Sequence, residues 1–208
     1  MTMMITAPLS ARLVERLGTK LVVTIGLTTI SVAMLVLSTL HTDSSYFRVI
    51  GNMCFMALGM ALVMAPATES VMGSLPRSKA GVGSAVNDTT RQMGGALGVA
   101  VIGSLVASVY AAGIDDVAAS FGLSGSALGD VRASLGGALK AVPGMGAAGP
   151  EFARAAKDSF VHGLSLGLRL GAVVVLAAAF VAYRFLPASA HDAVDERVPT
   201  DLQPVAGS

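Results

Sequence analysis

Of the 208 residues 53% are hydrophobic and only 13% charged, against roughly 25% charged in a soluble domain, so the composition favours a membrane protein. The net charge is +1 and the basic residues are scattered, which leaves no polybasic patch for nucleic acid or an anionic lipid surface. A single cysteine, Cys54, lies inside an apolar run; it excludes an internal disulfide and offers no metal-ligand spacing, and no cofactor is expected.

The chain opens on "MTMMITAPLSARLVERLG". Its basic residues follow the apolar ones, so it is not a secretory signal. Residues 1–20 read as the inner end of a truncated helix plus a cytoplasmic loop. Pro8 marks the helix exit, because proline removes a donor and disfavours helix in the residue before it.

About twenty apolar residues are needed to cross a ~30 Å hydrocarbon layer, where a helix satisfies its own backbone. Residues 21–40 carry no charge and form the first span; after the polar turn "HTDSSYFR", residues 49–68 form the second. Asn52 lies near the outer end of that second span. A buried amide in lipid seeks a partner, so Asn52 reads either as an interhelical hydrogen bond or as a polar group on a substrate path. Ala57, Ala61 and Ala65 form a small-residue stripe for close helix packing.

Residues 69–92 read as a polar, glycine-marked loop holding Glu69, Asp88 and Arg91. Asp88 precedes Arg91 by three residues, so the two can share a helix face and pair. Ser84, Asn87 and Asp88 are candidate caps for the following helix. Together with Arg91 and Gln92 they are also candidate gate contacts at the start of that helix. The third span, 93–112, carries Gly94 and Gly98 four residues apart, with Gly103 and Ala107 beside a second stripe of Ala100, Ser104 and Ser108. Such residues let helix backbones approach closely. "GALGVAVIG" lies within an apolar span and not at a strand-to-helix turn, which argues against a nucleotide fingerprint.

Residues 113–162 carry charges of both signs. Leu128, Val131, Leu135, Leu139 and Val142 recur at helical spacing and predict one short interfacial helix, ended by the breaker "VPGMGAAGP". Pro150 and Glu151 look like the first turn of a helix that feeds the last span, 163–187. Arg169, a few residues inside that span, reads as snorkelling to the outer surface. Residues 188–208 read as a disordered cytoplasmic tail.

Arg12, Arg16, Lys20, Arg77, Lys79, Arg91, Arg184 and Arg197 flank one side of these spans, and only Arg48 occupies the opposing short loop. The excess sets both termini in the cytoplasm and residues 113–162 outside. His41, His162 and His191 are far apart in sequence and join no nucleophile or carboxylate cluster, so no catalytic site, metal site or enzyme is expected. The fold class is all-α, a polytopic bundle of about four transmembrane helices.

Two stretches resemble a known family. "APATESVMGSLPRSKAGVGSAVNDTTRQMGGALGVAVIGSLVASVY" is similar to the penultimate-helix region of the fourteen-span drug:proton antiporters of the major facilitator superfamily. The matching positions are Pro66, Ser74, Pro76, Ala80, Gly81, Gly83, Ser84, Ala85, Asn87, Arg91, Gln92, Gly94, Gly95, Ala96, Leu97, Gly98 and Ala100. Upstream, "PLSARLVERLGTK" resembles the cytoplasmic loop signature of the superfamily through Glu15, Arg16, Gly18 and Lys20, with Ala11 where the family often has glycine and Glu15 where aspartate is commoner.

The resemblance implies a carboxy-terminal portion of a major facilitator fold: four spans and the inner tip of the one before. It implies proton-coupled efflux of small amphipathic or cationic compounds across a bacterial inner membrane. Arg12, Glu15, Arg16, Gly18 and Lys20 would then form part of the inner gate. The lipid bilayer and a missing amino-terminal half are the implied partners, and none of the four spans holds an acid away from its ends. The alternative is a non-transporting four-span module that binds or modulates a partner membrane protein.

Overall fold

The structure is a computed structural model that describes residues 2–41, 44–73 and 75–186, with side chains from residue 13 onward, Arg77 excepted. The tail expected at 188–208 lies outside the described residues. Regular structure among the described residues is helical: α1 (Thr2–Leu37), α2 (Tyr46–Gly73), α3 (Ala80–Ser120), α4 (Ser126–Ala133), α5 (Leu135–Ala141) and α6 (Gly149–Phe185), with 3-10 turns at Arg77–Lys79 and Val142–Ala148. Four stretches are long and apolar enough to cross a membrane: Leu13–Leu37, Tyr46–Gly73, Ala80–Ser120 and Leu135–Phe185. The chain is an all-α, multi-pass membrane protein.

The helices run further than the apolar stretches that announce them. α1 continues through Pro8, where the sequence suggested an exit, and breaks at Gly18, with φ 79 and ψ 155. That backbone region is essentially restricted to glycine. α2 carries a fully buried Pro66 in its interior, which membrane helices tolerate where neighbours and local adjustments satisfy the freed carbonyl.

α3 starts at Ala80, directly after the turn in which the Lys79 amide donates to the Pro76 carbonyl at 2.8 Å. Past Pro76 nothing stronger than glycine opposes helix, so most of the expected loop is wound up. Its 41 residues span roughly 60 Å at 1.5 Å per residue, twice the hydrocarbon thickness. The single interfacial helix expected over 128–142 is two helices, α4 and α5, separated by an extended Ser134 whose hydroxyl accepts from the Gly137 amide at 3.0 Å and caps α5.

The described residues divide into two compact units, formed within residues 2–31, 54–93 and 175–186 and within residues 32–53 and 94–174. In the first, α1 meets α2 backbone to backbone. A Cβ on Gly26 would lie 2.9 Å from the Gly59 carbonyl oxygen, and one on Gly59 would lie 2.9 Å from the Gly26 carbonyl oxygen. Thr19, Val22, Val23, Ala61 and Leu62 are buried around this crossing. Lipid removes the usual hydrophobic drive for association, so close contact of small residues is what holds such a pair.

The second unit has the best-packed core. Tyr110 and Ile114 of α3, Val131 of α4, Ala138 of α5 and Phe152 and Ala156 of α6 are buried together. The Tyr110 hydroxyl donates to the Val131 carbonyl at 3.0 Å. Edge-to-face pairs join Tyr110 to Phe160, with centroids 6.2 Å apart, and Phe121 to Phe152 at 5.5 Å. Arg132 of α4 pairs with Asp115 of α3 at 3.0 Å. Farther along α6, a Cβ on Gly163 would sit 3.0 Å from the Val106 carbonyl and one on Gly167 2.9 Å from the Val106 side chain, so α6 and α3 also approach through glycine.

Candidate functional site

The loop motif lies at the break in α1. Glu15 and Arg16 are exposed and form no hydrogen bond or ion pair with a described residue, while the Arg12 side chain is outside the description. Gly18 supplies the turn between the two helical parts. Lys20 is half-buried, and its ammonium stands 4.8 Å from the centroid of the Tyr183 ring on α6, within the same unit. The Thr24 hydroxyl donates to the Lys20 carbonyl at 2.8 Å.

Ser84, Asn87, Asp88, Arg91 and Gln92 fall inside α3 and not at its start, which corrects the capping assignment. The amides that Ser84, Asn87 or Asp88 were to cap are satisfied by the preceding helical turns. The local Asp88–Arg91 pair does not form: Asp88 is exposed and has no polar partner among the described residues. Arg91 instead extends toward α2, with Nη2 3.8 Å from the Met64 sulfur.

The small residues expected to pack on α3 meet no partner among the described residues. Space is open where a Cβ would stand on Gly94, Gly98 and Gly103, and Ala107 is exposed. Only 11% of the apolar window of α3 is buried, against 28% in α1 and in α2. Close approach is made instead by Gly26, Gly59, Gly163 and Gly167, none of which the sequence reading singled out. The four-residue spacing of Gly163, Gly167 and Gly171 was the signal available for the last group.

The polar groups inside the spans are modest. Asn52 is buried and donates through Nδ2 to the Ala33 carbonyl at 3.0 Å, so its amide is engaged by backbone. Arg169 is exposed. A groove of about 520 Å³ in the second unit is walled by Ile102, Val106, Tyr110, Leu135, Phe160 and Leu164. It suits an apolar molecule and supplies no charge. No group of three His, Cys, Asp or Glu side chains that could hold a metal occurs among the described residues.

No family model matches the chain. The multidrug efflux pump LfrA of Mycolicibacterium smegmatis is 26% identical over 75% of this chain and 31% of its own length. The multidrug resistance protein Stp of Mycobacterium tuberculosis is 28% identical over 95% of the chain and 38% of its own length. A tetracenomycin C resistance and export protein of Streptomyces glaucescens is 28% identical over 99% of the chain and 38% of its own length. The chain is a relative of the MFS-type multidrug efflux transporters. It spans about a third of the length of these curated relatives.

Proposed function

We propose that this chain acts within a proton-driven exporter of small amphipathic or cationic drugs, with the loop at residues 12–20 serving as part of a cytoplasmic gate. The observation that carries the reading is the similarity to resistance and export proteins along 95–99% of the chain. Both termini face the cytoplasm and residues 113–162 face outward, as the Lys and Arg bias of the short loops supports. Secondary transporters hold substrate near the midplane between two repeated halves; these four spans provide part of one half. The proton-coupling acids and the remaining helices belong to an amino-terminal partner half. The Gly94 and Gly98 face of α3, open among the described residues, is the surface on which those helices pack.

The test is efflux of a cationic dye from native cells with and without the gene. Deletion should slow efflux, and collapsing the proton gradient should erase the difference. Equal efflux in the two strains overturns the proposal. An immunoblot against the tail "HDAVDERVPTDLQPVAGS" then sizes the protein that carries it. A stable product of 208 residues crosslinked to another membrane protein, without dye efflux, favours the non-transporting module. Orientation is read separately: on a Cys54→Ala background, Ser124→Cys should react with a membrane-impermeant maleimide added outside, and Ser78→Cys should not.

A further inference from the structure

Lys20 stands at the edge of a membrane helix and pairs with no acid among the described residues. Glu15 is exposed and makes no ion pair with any described residue. On α6 the neighbouring charge is another cation, Arg184, whose guanidinium lies 5.7 Å from the Phe185 ring. What Lys20 does meet is the Tyr183 ring, 4.8 Å from Nζ to the centroid. A ring face carries the negative part of an aromatic quadrupole and attracts ammonium within about 6 Å.

The backbone makes this contact more than a chance meeting of two flexible side chains. The helix restarts immediately after Gly18, Thr19 is 5% exposed and Val22 fully buried. Thr24 also bonds the Lys20 carbonyl. Thr19, Val22 and Thr24 thus hold the Lys20 backbone, and the ammonium at the end of its flexible stem stands over the Tyr183 ring.

We propose that Tyr183 is a positioning residue for the loop motif: its ring receives the Lys20 ammonium and fixes the chain just after the Gly18 break against the last turns of α6. The motif's importance for export rests on the proposed function; the contact and its effect on the break do not. The ring and not the hydroxyl makes the contact. Phenylalanine at 183 therefore preserves it and leucine, of similar bulk and apolarity, abolishes it. Arginine at 20 keeps the cation, and methionine removes it.

The test uses the 208-residue chain in lipid nanodiscs with its lysines, Lys20, Lys79, Lys140 and Lys157, converted to ¹³C-dimethyl-lysine, which retains the charge. Lys20→Arg identifies the Lys20 resonance by its disappearance. That resonance should lie upfield of the other three because it sits over a ring face, stay there in Tyr183→Phe, and join the others in Tyr183→Leu. Amide hydrogen exchange of residues 16–20 should quicken in Tyr183→Leu and stay unchanged in Tyr183→Phe, with exchange elsewhere in α1 and α6 unaltered. A wild-type Lys20 resonance coincident with the other lysines overturns the proposal. So does an upfield resonance that survives Tyr183→Leu, or faster exchange spread over both helices. If Tyr183→Leu does not insert, wild type, Tyr183→Phe and Lys20→Met decide, the last by faster exchange at residues 16–20. No dye is involved, so failure here and failure of the efflux reading are separate results.

Discussion

Gly18 is where a single methyl group should do most damage to the inner loop. Its φ of 79 and ψ of 155 belong to a region that side chains with a Cβ occupy only under strain, at a cost of about 1–3 kcal/mol. Gly18→Ala must either accept that strain or straighten the chain and lose the turn between the two parts of α1. Taken as stability, the cost corresponds to a roughly 5- to 140-fold fall in the folded-to-unfolded ratio. Gly81 is the internal control: it is helical, without positive φ, and a Cβ there meets nothing within 4 Å. Gly81→Ala should stabilise by about 0.4–1 kcal/mol by restricting the unfolded chain. The assay is reversible unfolding in mixed micelles, followed by helicity as the denaturing detergent fraction rises. Gly18→Ala as stable as wild type would show that the break is not held by its surroundings. Equal damage by both substitutions would show that general helix fragility, and not the glycine-only conformation, sets the cost.

The same assay examines the crossings. Gly59→Ala drives a methyl to 2.9 Å from the Gly26 carbonyl and the Ile30 side chain and should cost about 1–3 kcal/mol, as overpacked interiors do; an unchanged midpoint contradicts the backbone contact. Gly98→Leu should leave the stability of the isolated chain unchanged or higher, since a Cβ there meets open space, yet reduce dye efflux in native cells if the rest of the transporter packs on that face. Full efflux at normal abundance removes that surface from the proposal. Asn52→Leu forfeits the bond to Ala33 and should cost about 0.6–1 kcal/mol, with dye efflux retained because the amide is already engaged. Phe152→Ala empties the centre of the second unit's core and should cost about 3–5 kcal/mol, seen as protease cleavage within residues 121–148 while the spans stay intact.

The number of spans was legible because it follows from chemistry that does not depend on neighbours: an apolar run of twenty residues such as Leu21–Leu40 crosses lipid as a helix in nearly any context. Helix ends were less so, since they depend on competing signals of similar size. α3 starts thirteen residues before Met93 because the polar letters of "GVGSAVNDTTRQ" argue for water without arguing against helix. The break at Ser134 went unread for the opposite reason. Leu128, Val131, Leu135, Leu139 and Val142 keep a helical period straight across it, and the period carries no record of the extended residue between α4 and α5. The motif residues were identified with a family pattern, but what they touch was not. Tyr183 is 163 positions from Lys20, and no local rule links them.

Glycine shows why composition and contact must be read together in a membrane helix. At Gly26 and Gly59 the absent side chain is explained inside the chain, because two carbonyls occupy the space. At Gly94, Gly95, Gly98 and Gly103 nothing occupies it, and Val99 and Leu97 beside them are 76% and 64% exposed. Lipid tails fit around leucine as readily as around glycine, so facing lipid gives no reason for four glycines. Each costs helix stability on the order of 1 kcal/mol relative to alanine. Under the proposed function, contacts that offset this cost at Gly94 and Gly98 would come from a partner beyond the described residues. The relatives, of which this chain matches about a third, are long enough to contain one. The Gly98→Leu comparison tests that proposal against simple exposure of the glycines to lipid.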